Sequence, residues 1–115
     1  SSIGQLVVDS DGRIEISNLA AEGILGYERG ELEGSVVDAL LPDDMQEKHV
    51  HLRAQFMQAP EARMMGIGRE LEAVRKDGSF IPVEVGLTPS PDHARQLFLV
   101  SLIDLSHRDP VGSIR

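Results

Sequence analysis

At 115 residues the chain has the length of one domain with a modest core, and its formal net charge of −8 excludes the clustered Lys and Arg surface that a nucleic-acid partner requires. It has no cysteine, which excludes disulfides, thiolate metal ligands and cysteinyl photochemistry and fits a reducing compartment. No apolar run approaches the roughly 20 residues of a membrane span and no signal peptide is visible, so no membrane insertion is expected.

The chain opens Ser1-Ser2 without an initial Met and reads as a segment cut from a longer protein. Gln5 to Asp9 is a strand candidate, Ser10-Asp11-Gly12 is a turn, and Arg13 to Ser17 alternates, so residues 5–17 are predicted to form a hairpin. Asn18 is a preferred N-cap; Leu19, Ala20, Ala21, Ile24 and Leu25 recur at helical spacing, and Gly26 closes that helix. The stretch from Tyr27 to Gly34, with Glu28, Glu31 and Glu33, reads as solvated loops and short helical turns. Val36, Val37, Leu40 and Leu41 predict a further short helix stopped by Pro42.

A longer helix is expected over residues 44–58, capped by Asp43 or Asp44 and ended before Pro60. Met45, His49, Leu52 and Phe56 fall on one of its faces, which should meet a sheet. Residues 59–65 read as a loop. The stretch from Gly66 to Pro89 then reads as a hairpin turning at Lys76-Asp77-Gly78. Before the turn, Leu71 and Ala73 lie opposite Glu70, Glu72 and Val74; after it, Ile81, Val83, Val85 and Leu87 share one face. Following a loop at 90–95, the final strand Gln96–Leu105 is apolar on both faces, with Phe98, Val100 and Leu102 expected to point outward and pair two subunits. Residues 1–105 form the expected domain, and 106–115 the start of a linker.

The order strand, strand, helices, strand, strand, strand predicts an α+β fold: a five-stranded antiparallel sheet with several helices packed on one face. The space between sheet and helices is either filled core or a ligand pocket. Its candidate lining is Met45, His49, Leu52 and Phe56 from the helix, with Arg69, Leu71, Val85 and Leu87 from the sheet. His49 on an apolar stripe has a second reading, a core histidine satisfied by a backbone carbonyl. Arg69 likewise reads as solvent-facing, or as paired with Glu61 or Asp44. Met45, Met57, Met64 and Met65 suit adaptable packing better than metal binding. There is no phosphate-binding loop, dinucleotide fingerprint or nucleophile motif, so the fragment is not expected to be an enzyme.

Taken in order, Asp11-Gly12-Arg13-Ile14, Asn18, Ala20-Ala21-Glu22, Ile24-Leu25-Gly26-Tyr27, Glu31-Leu32-Glu33-Gly34, Leu41-Pro42, Arg75-Lys76-Asp77-Gly78-Ser79, Pro82-Val83-Glu84 and Asp104-Leu105-Ser106 resemble a PAS domain over nearly the whole chain. The resemblance implies a cytoplasmic signal-input module of a bacterial signalling protein. It would sense a small ligand, dimerise, or both, to regulate a covalently linked output domain. The runs His49 to Arg53 and Met64 to Arg69 are similar to modules found with diguanylate cyclases, which favours that output over a histidine kinase. One branch of the family, the haem-binding oxygen sensors, carries an axial His on the long helix and a Gly-Ile-Gly-Arg run after it. By that resemblance His49 would be the iron ligand, Arg69 the distal residue, and Val85 and Leu87 wall residues. Leu52 and Phe56 depart from the Tyr residues of that branch, and Val83 from its Met. A haem gas or redox sensor and a ligand-free dimerisation scaffold are therefore the alternatives to an unspecified ligand sensor.

Overall fold

The computed structural model describes residues 3–48, 50, 63–65, 71–90 and 95–106. The first hairpin forms where alternation and turn chemistry predict it, from β1 (Ile3–Asp9) and β2 (Ile14–Ser17). Asp9 Oδ1 accepts the Asp11 and Arg13 amides at 2.9 Å each, which fixes the turn between them. The helix α1 (Leu19–Leu25) begins at Asn18, whose Oδ1 accepts the Ala21 amide, and ends at Gly26, which takes the left-handed conformation at φ 77°. The Asn18 side chain also reaches the neighbouring strand. Its Oδ1 accepts the Gln5 amide at 2.9 Å, and its Nδ2 donates to the Ile3 carbonyl. The start of the helix is thereby sewn to β1. A 3₁₀ helix at Val37–Leu40 replaces the short helix expected there, and a helical segment runs over 43–48 after Pro42.

The remaining strands are β3 (Arg63–Met65), β4 (Leu71–Val74), β5 (Phe80–Pro89) and β6 (Leu97–Asp104). The sheet runs β2-β1-β6-β5, and β3 and β4 share the far edge of β5. Arg63 to Met65 pair with Leu87 to Val85, while Leu71 to Val74 pair with Val83 to Phe80. Six strands thus fill five positions, all antiparallel, which is the five-stranded sheet expected from sequence. The expected loop over 59–65 is corrected at its end: 63–65 is a strand. The ten-residue β5 is longer than β4, and its backbone groups at Val85 to Leu87 take their partners from β3. At the other edge, Gly34 to Val37 bond to Gly12 and Ile14 at 2.7–2.8 Å and so cover the free side of β2.

Residues directly opposite in neighbouring strands share a face. Gly4, Leu6 and Val8 stand opposite Leu102, Val100 and Phe98, which stand opposite Val85, Leu87 and Pro89. The helix α1 lies on this face, so closely that a Cβ at Gly4 would fall 2.9 Å from the Ala21 Cα. Leu6, Val8, Ile14, Ala21, Leu25, Leu32, Leu40, Ala73, Ile81, Val83, Phe98, Val100 and Leu102 form one buried core. The expected pairing face of Phe98, Val100 and Leu102 is therefore overturned. These side chains are interior, Phe98 being 1 % exposed, and the outward set of β6 is Leu99 and Ile103, at 38 % and 36 %. Both alternating sets of this strand are apolar, so alternation cannot tell inside from outside; the register with Leu6 and Val8 under α1 does.

Polar ties fasten the surface of this core. The Glu22 carboxylate accepts the Gly30 amide and the Ser17 hydroxyl, each at 2.8 Å, and these bonds hold it below the usual glutamate range. Lys76 donates its amide to the Leu25 carbonyl at 3.0 Å and its Nζ to Glu31 at 2.5 Å. That pair lowers the Glu31 carboxyl and raises the Lys76 ammonium from their ordinary values. Arg95 pairs with Glu15 across the sheet's other end.

The assignment of faces on β6 has a direct stability test. Phe98→Ala should cost about 3–5 kcal/mol, the range for removing a buried aromatic side chain. Leu99→Ala, one residue away on the outer face, should cost less than about 1 kcal/mol. Urea denaturation of the two variants checks this, and equal losses would contradict the register.

Candidate ligand pocket

The helix that should form one wall of the pocket starts where Pro42 ends the preceding 3₁₀ turn. The Met45 amide donates to the Pro42 carbonyl at 2.9 Å, and Gln46 Nε2 reaches back to the Leu41 carbonyl at 3.0 Å. Met45, expected to open the buried stripe, is instead 39 % exposed. It belongs to the turn that enters the helix rather than to the wall. His49, Leu52, Phe56 and Arg69 lie outside the described residues.

The opposite wall is described. Leu71 on β4 stands opposite Val83, and Val85 and Leu87 on β5 stand between β3 and β6. All three are half-buried and pack against the core from its margin, whereas Ile81 and Val83, earlier on the same strand and the same face, are fully buried. The inner face of the sheet is thus divided. Ile81 and Val83 toward one end of β5, and Phe98 opposite Pro89 at the other, are fully buried; Val85 and Leu87 between them, with Leu71 beside Val83, keep part of their apolar surface open. This wall brings together three of the sequence-predicted lining residues, and it offers shape and hydrophobic contact, not charge. Among the described residues there is no group of three or more His, Asp or Glu able to hold a metal ion. No helix among them is long and apolar enough to cross a membrane.

Sequence reasoning missed two residues that shape the interior. Leu32 lies in an acidic, glycine-flanked run and is nevertheless fully buried, and Glu22 is a buried carboxylate with two donors. The one apolar residue in Glu31-Leu32-Glu33 was the available signal for the first. Nothing in the α1 pattern marks the second, because its partners Ser17 and Gly30 come from separate elements.

Comparisons with known proteins agree with this architecture. Over 104 residues, covering 90 % of this chain, it is 29 % identical to the oxygen sensor protein DosP of Escherichia coli (strain K12). Over 82 residues, 71 % of this chain, it is 27 % identical to the sensor protein FixL of Bradyrhizobium diazoefficiens. The chain spans 13 % and 16 % of these two relatives. Among solved structures, the PAS domain of an HTR-like protein from Haloarcula marismortui superposes with a TM-score of 0.73 at 27 % identity, over 90 % of this chain and 82 % of that one. The family model for the PAS domain matches residues 2–107, and with the five-stranded sheet and its covered inner face, the chain belongs to the PAS domain family.

Proposed function

We propose that this PAS domain is the signal-input module of a longer signalling protein and binds a small ligand between the helix that starts near residue 43 and the β3/β4–β5–β6 face. The observation that carries the reading is the half-buried apolar wall of Leu71, Val85 and Leu87 beside the fully buried Ile81 and Val83. Occupancy would reach the output through the exit from β6. There the Leu105 amide donates to the Pro82 carbonyl at 2.9 Å, and Asp104 Oδ1 accepts the Ser106 amide at 2.8 Å and the Ser106 hydroxyl at 2.6 Å. The exit is thus fastened to β5, the strand that bears Val85 and Leu87. A ligand that favours one packing of β5 shifts the population of exit geometries in the same proportion. A diguanylate cyclase is the output we favour, with a histidine kinase as the other candidate. In the full-length protein, Val85→Trp should fill the wall and fix output at one level whatever the signal. Output that still responds as in the wild type would sink the pocket reading.

A haem sensor is the specific form of this reading that the oxygen-sensor relative favours. The wall of Leu71, Val85 and Leu87 offers the apolar surface a porphyrin requires, and by the family resemblance His49 would hold the iron and Arg69 would donate to a bound gas. When bound, haem supplies a gas-binding iron; the chain's own part is to seat it against the apolar wall and exclude water. The absorption spectrum of the purified chain, before and after incubation with haem, is the measurement. A Soret band that is lost in His49→Ala supports haem, and a flat spectrum in both removes it and leaves a colourless ligand.

A ligand-free dimerisation scaffold is the second reading, and the corrected outer face supports it. Ile3, Val7, Leu99 and Ile103 pair across β1 and β6, with Ile16 beside them on β2, to give an apolar strip with Gln5 and Ser101 as its polar members. In a chain of net charge −8, the strip itself carries no formal charge, with Glu84 beside Ile103 and Asp9 beside Leu97 at its margins. Sedimentation at micromolar concentration should find a dimer that Leu99→Glu with Ile103→Glu converts to monomer. A monomeric wild type would remove self-pairing through this strip.

A further inference from the structure

The segment between Gly26 and Gly34 is exposed over residues 28–31 and 33–34, yet Leu32 in its middle is 0 % exposed and belongs to the core. Inside the segment, Glu31 Oε1 accepts the Glu28 amide at 2.8 Å, the Glu31 amide donates to the Glu28 carbonyl at 3.0 Å, and the Glu33 amide donates to the Gly30 carbonyl at 3.4 Å. It is a small bonded unit. Two polar latches hold it down. The Gly30 amide donates to Glu22, which Ser17 also holds, and Glu31 Oε2 pairs with Lys76 on the β4–β5 turn. Its two ends are fixed by backbone bonds, Tyr27 amide to Glu22 carbonyl at 2.9 Å and Gly34 amide to Ile14 carbonyl at 2.8 Å. Both flanking glycines hold positive φ, 77° and 90°, in a region closed to most other residues.

We propose that residues 27–34 are a strap that opens as one unit about Gly26 and Gly34, withdrawing Leu32 from the core and giving a route to the interior on the α1 side. The attachments that must yield are the burial of Leu32, the partial packing of Tyr27 against the core, the Gly30–Glu22 bond and the Glu31–Lys76 ion pair, together with the Arg13 guanidinium's bond to the Gly34 carbonyl and the Ser35 amide's bond to the Leu32 carbonyl at the Gly34 end. That is far less than global unfolding demands, which makes the strap a local opening unit. The ion pair is the adjustable element, because an exposed pair is screened by salt. As the gate of a ligand-sensing domain the strap rests on the reading above. As an opening unit it does not, and the test separates the two because it uses no ligand.

The absence of cysteine makes a thiol probe specific. Leu32→Cys places one buried thiol under the strap, and Val83→Cys places one on the sheet, where only global unfolding exposes it. Reaction with an excess of a soluble disulfide reagent should be faster at position 32 than at position 83. Lys76→Met added to each should speed the first by about 2- to 5-fold, the range for an exposed ion pair, and about 1 M NaCl should reproduce that gain in the Lys76 background. Neither change should accelerate reaction at position 83 by a comparable factor. Amide exchange of the chain without thiols gives the second readout: Gly30, whose amide bonds across to Glu22 on α1, should exchange through the strap opening and be accelerated by Lys76→Met by the same factor as the thiol at position 32. Equal thiol rates at the two positions, or a Gly30 exchange rate that Lys76→Met leaves unchanged, would overturn the strap. So would a Lys76→Met effect confined to the β4–β5 turn.

Discussion

The arrangement depends on one close approach. With hydrogen in place of a side chain at Gly4, the Ala21 backbone of α1 comes down onto β1 at a distance no Cβ would permit. That contact selects which face of the sheet is covered. Once α1 lies over Leu6 and Val8, the antiparallel registers carry the choice across β6 to Phe98, Val100 and Leu102, and across β5 to Val85 and Leu87. A one-residue change of register would exchange the whole interior for the strip that now faces outward. Asn18 secures the arrangement by binding both the first turn of the helix and the edge of β1.

The inner face that this contact selects is not buried evenly. Leu25, Leu32, Leu40, Ile81, Val83 and Phe98 are buried in one core, and that burial stabilises the fold. The stretch around Leu71, Val85 and Leu87 retains apolar surface, and β3 and β4 meet β5 there as separate short pieces rather than one strand. Packing for stability and open apolar surface are thereby assigned to different stretches of the same strand. The surface ties built on Glu22, Glu31 and Lys76 fasten α1, residues 27–34 and the β4–β5 turn to one another from outside.

The parts legible in the sequence were those governed by local chemistry. Asn18 and Gly26 bound α1 as capping rules require, Asp9 and the turn after it gave the first hairpin, and Gly78 at φ 90° turned the second. The family resemblance followed from the order of these pieces. What local chemistry does not encode was misread or missed. Leu97–Asp104 carries apolar residues on both faces, so its inward set depended on partners as far away as Leu6. Met45 has the spacing of a buried stripe but stands at the helix entrance, where the chain leaves Pro42. The strand Arg63–Met65 forms because β5 extends beyond β4, a fact about the partner rather than about these three residues. Of the candidate site, alternation along β4 and β5 was enough to group Leu71, Val85 and Leu87 on one apolar face, while His49, Leu52, Phe56 and Arg69 lie outside the described residues.

The pairing of Ile3 with Ile103 also sets how the domain answers to mechanical load. The two strands are antiparallel and central in the sheet, so the chain enters and leaves side by side at one end of the same ladder. Tension drawing the two flanks apart acts across that ladder and loads its rungs in succession, as in a zipper, instead of shearing all seven pairs together. The first rungs to yield lie beside the outward apolar strip, and the last, at Asp9 and Leu97, lie at the far end of the sheet. Torque or separation of the flanking segments is therefore felt first at Ile3 and Ile103, next to the rung where Gly4 meets α1, and last at Asp9 and Leu97.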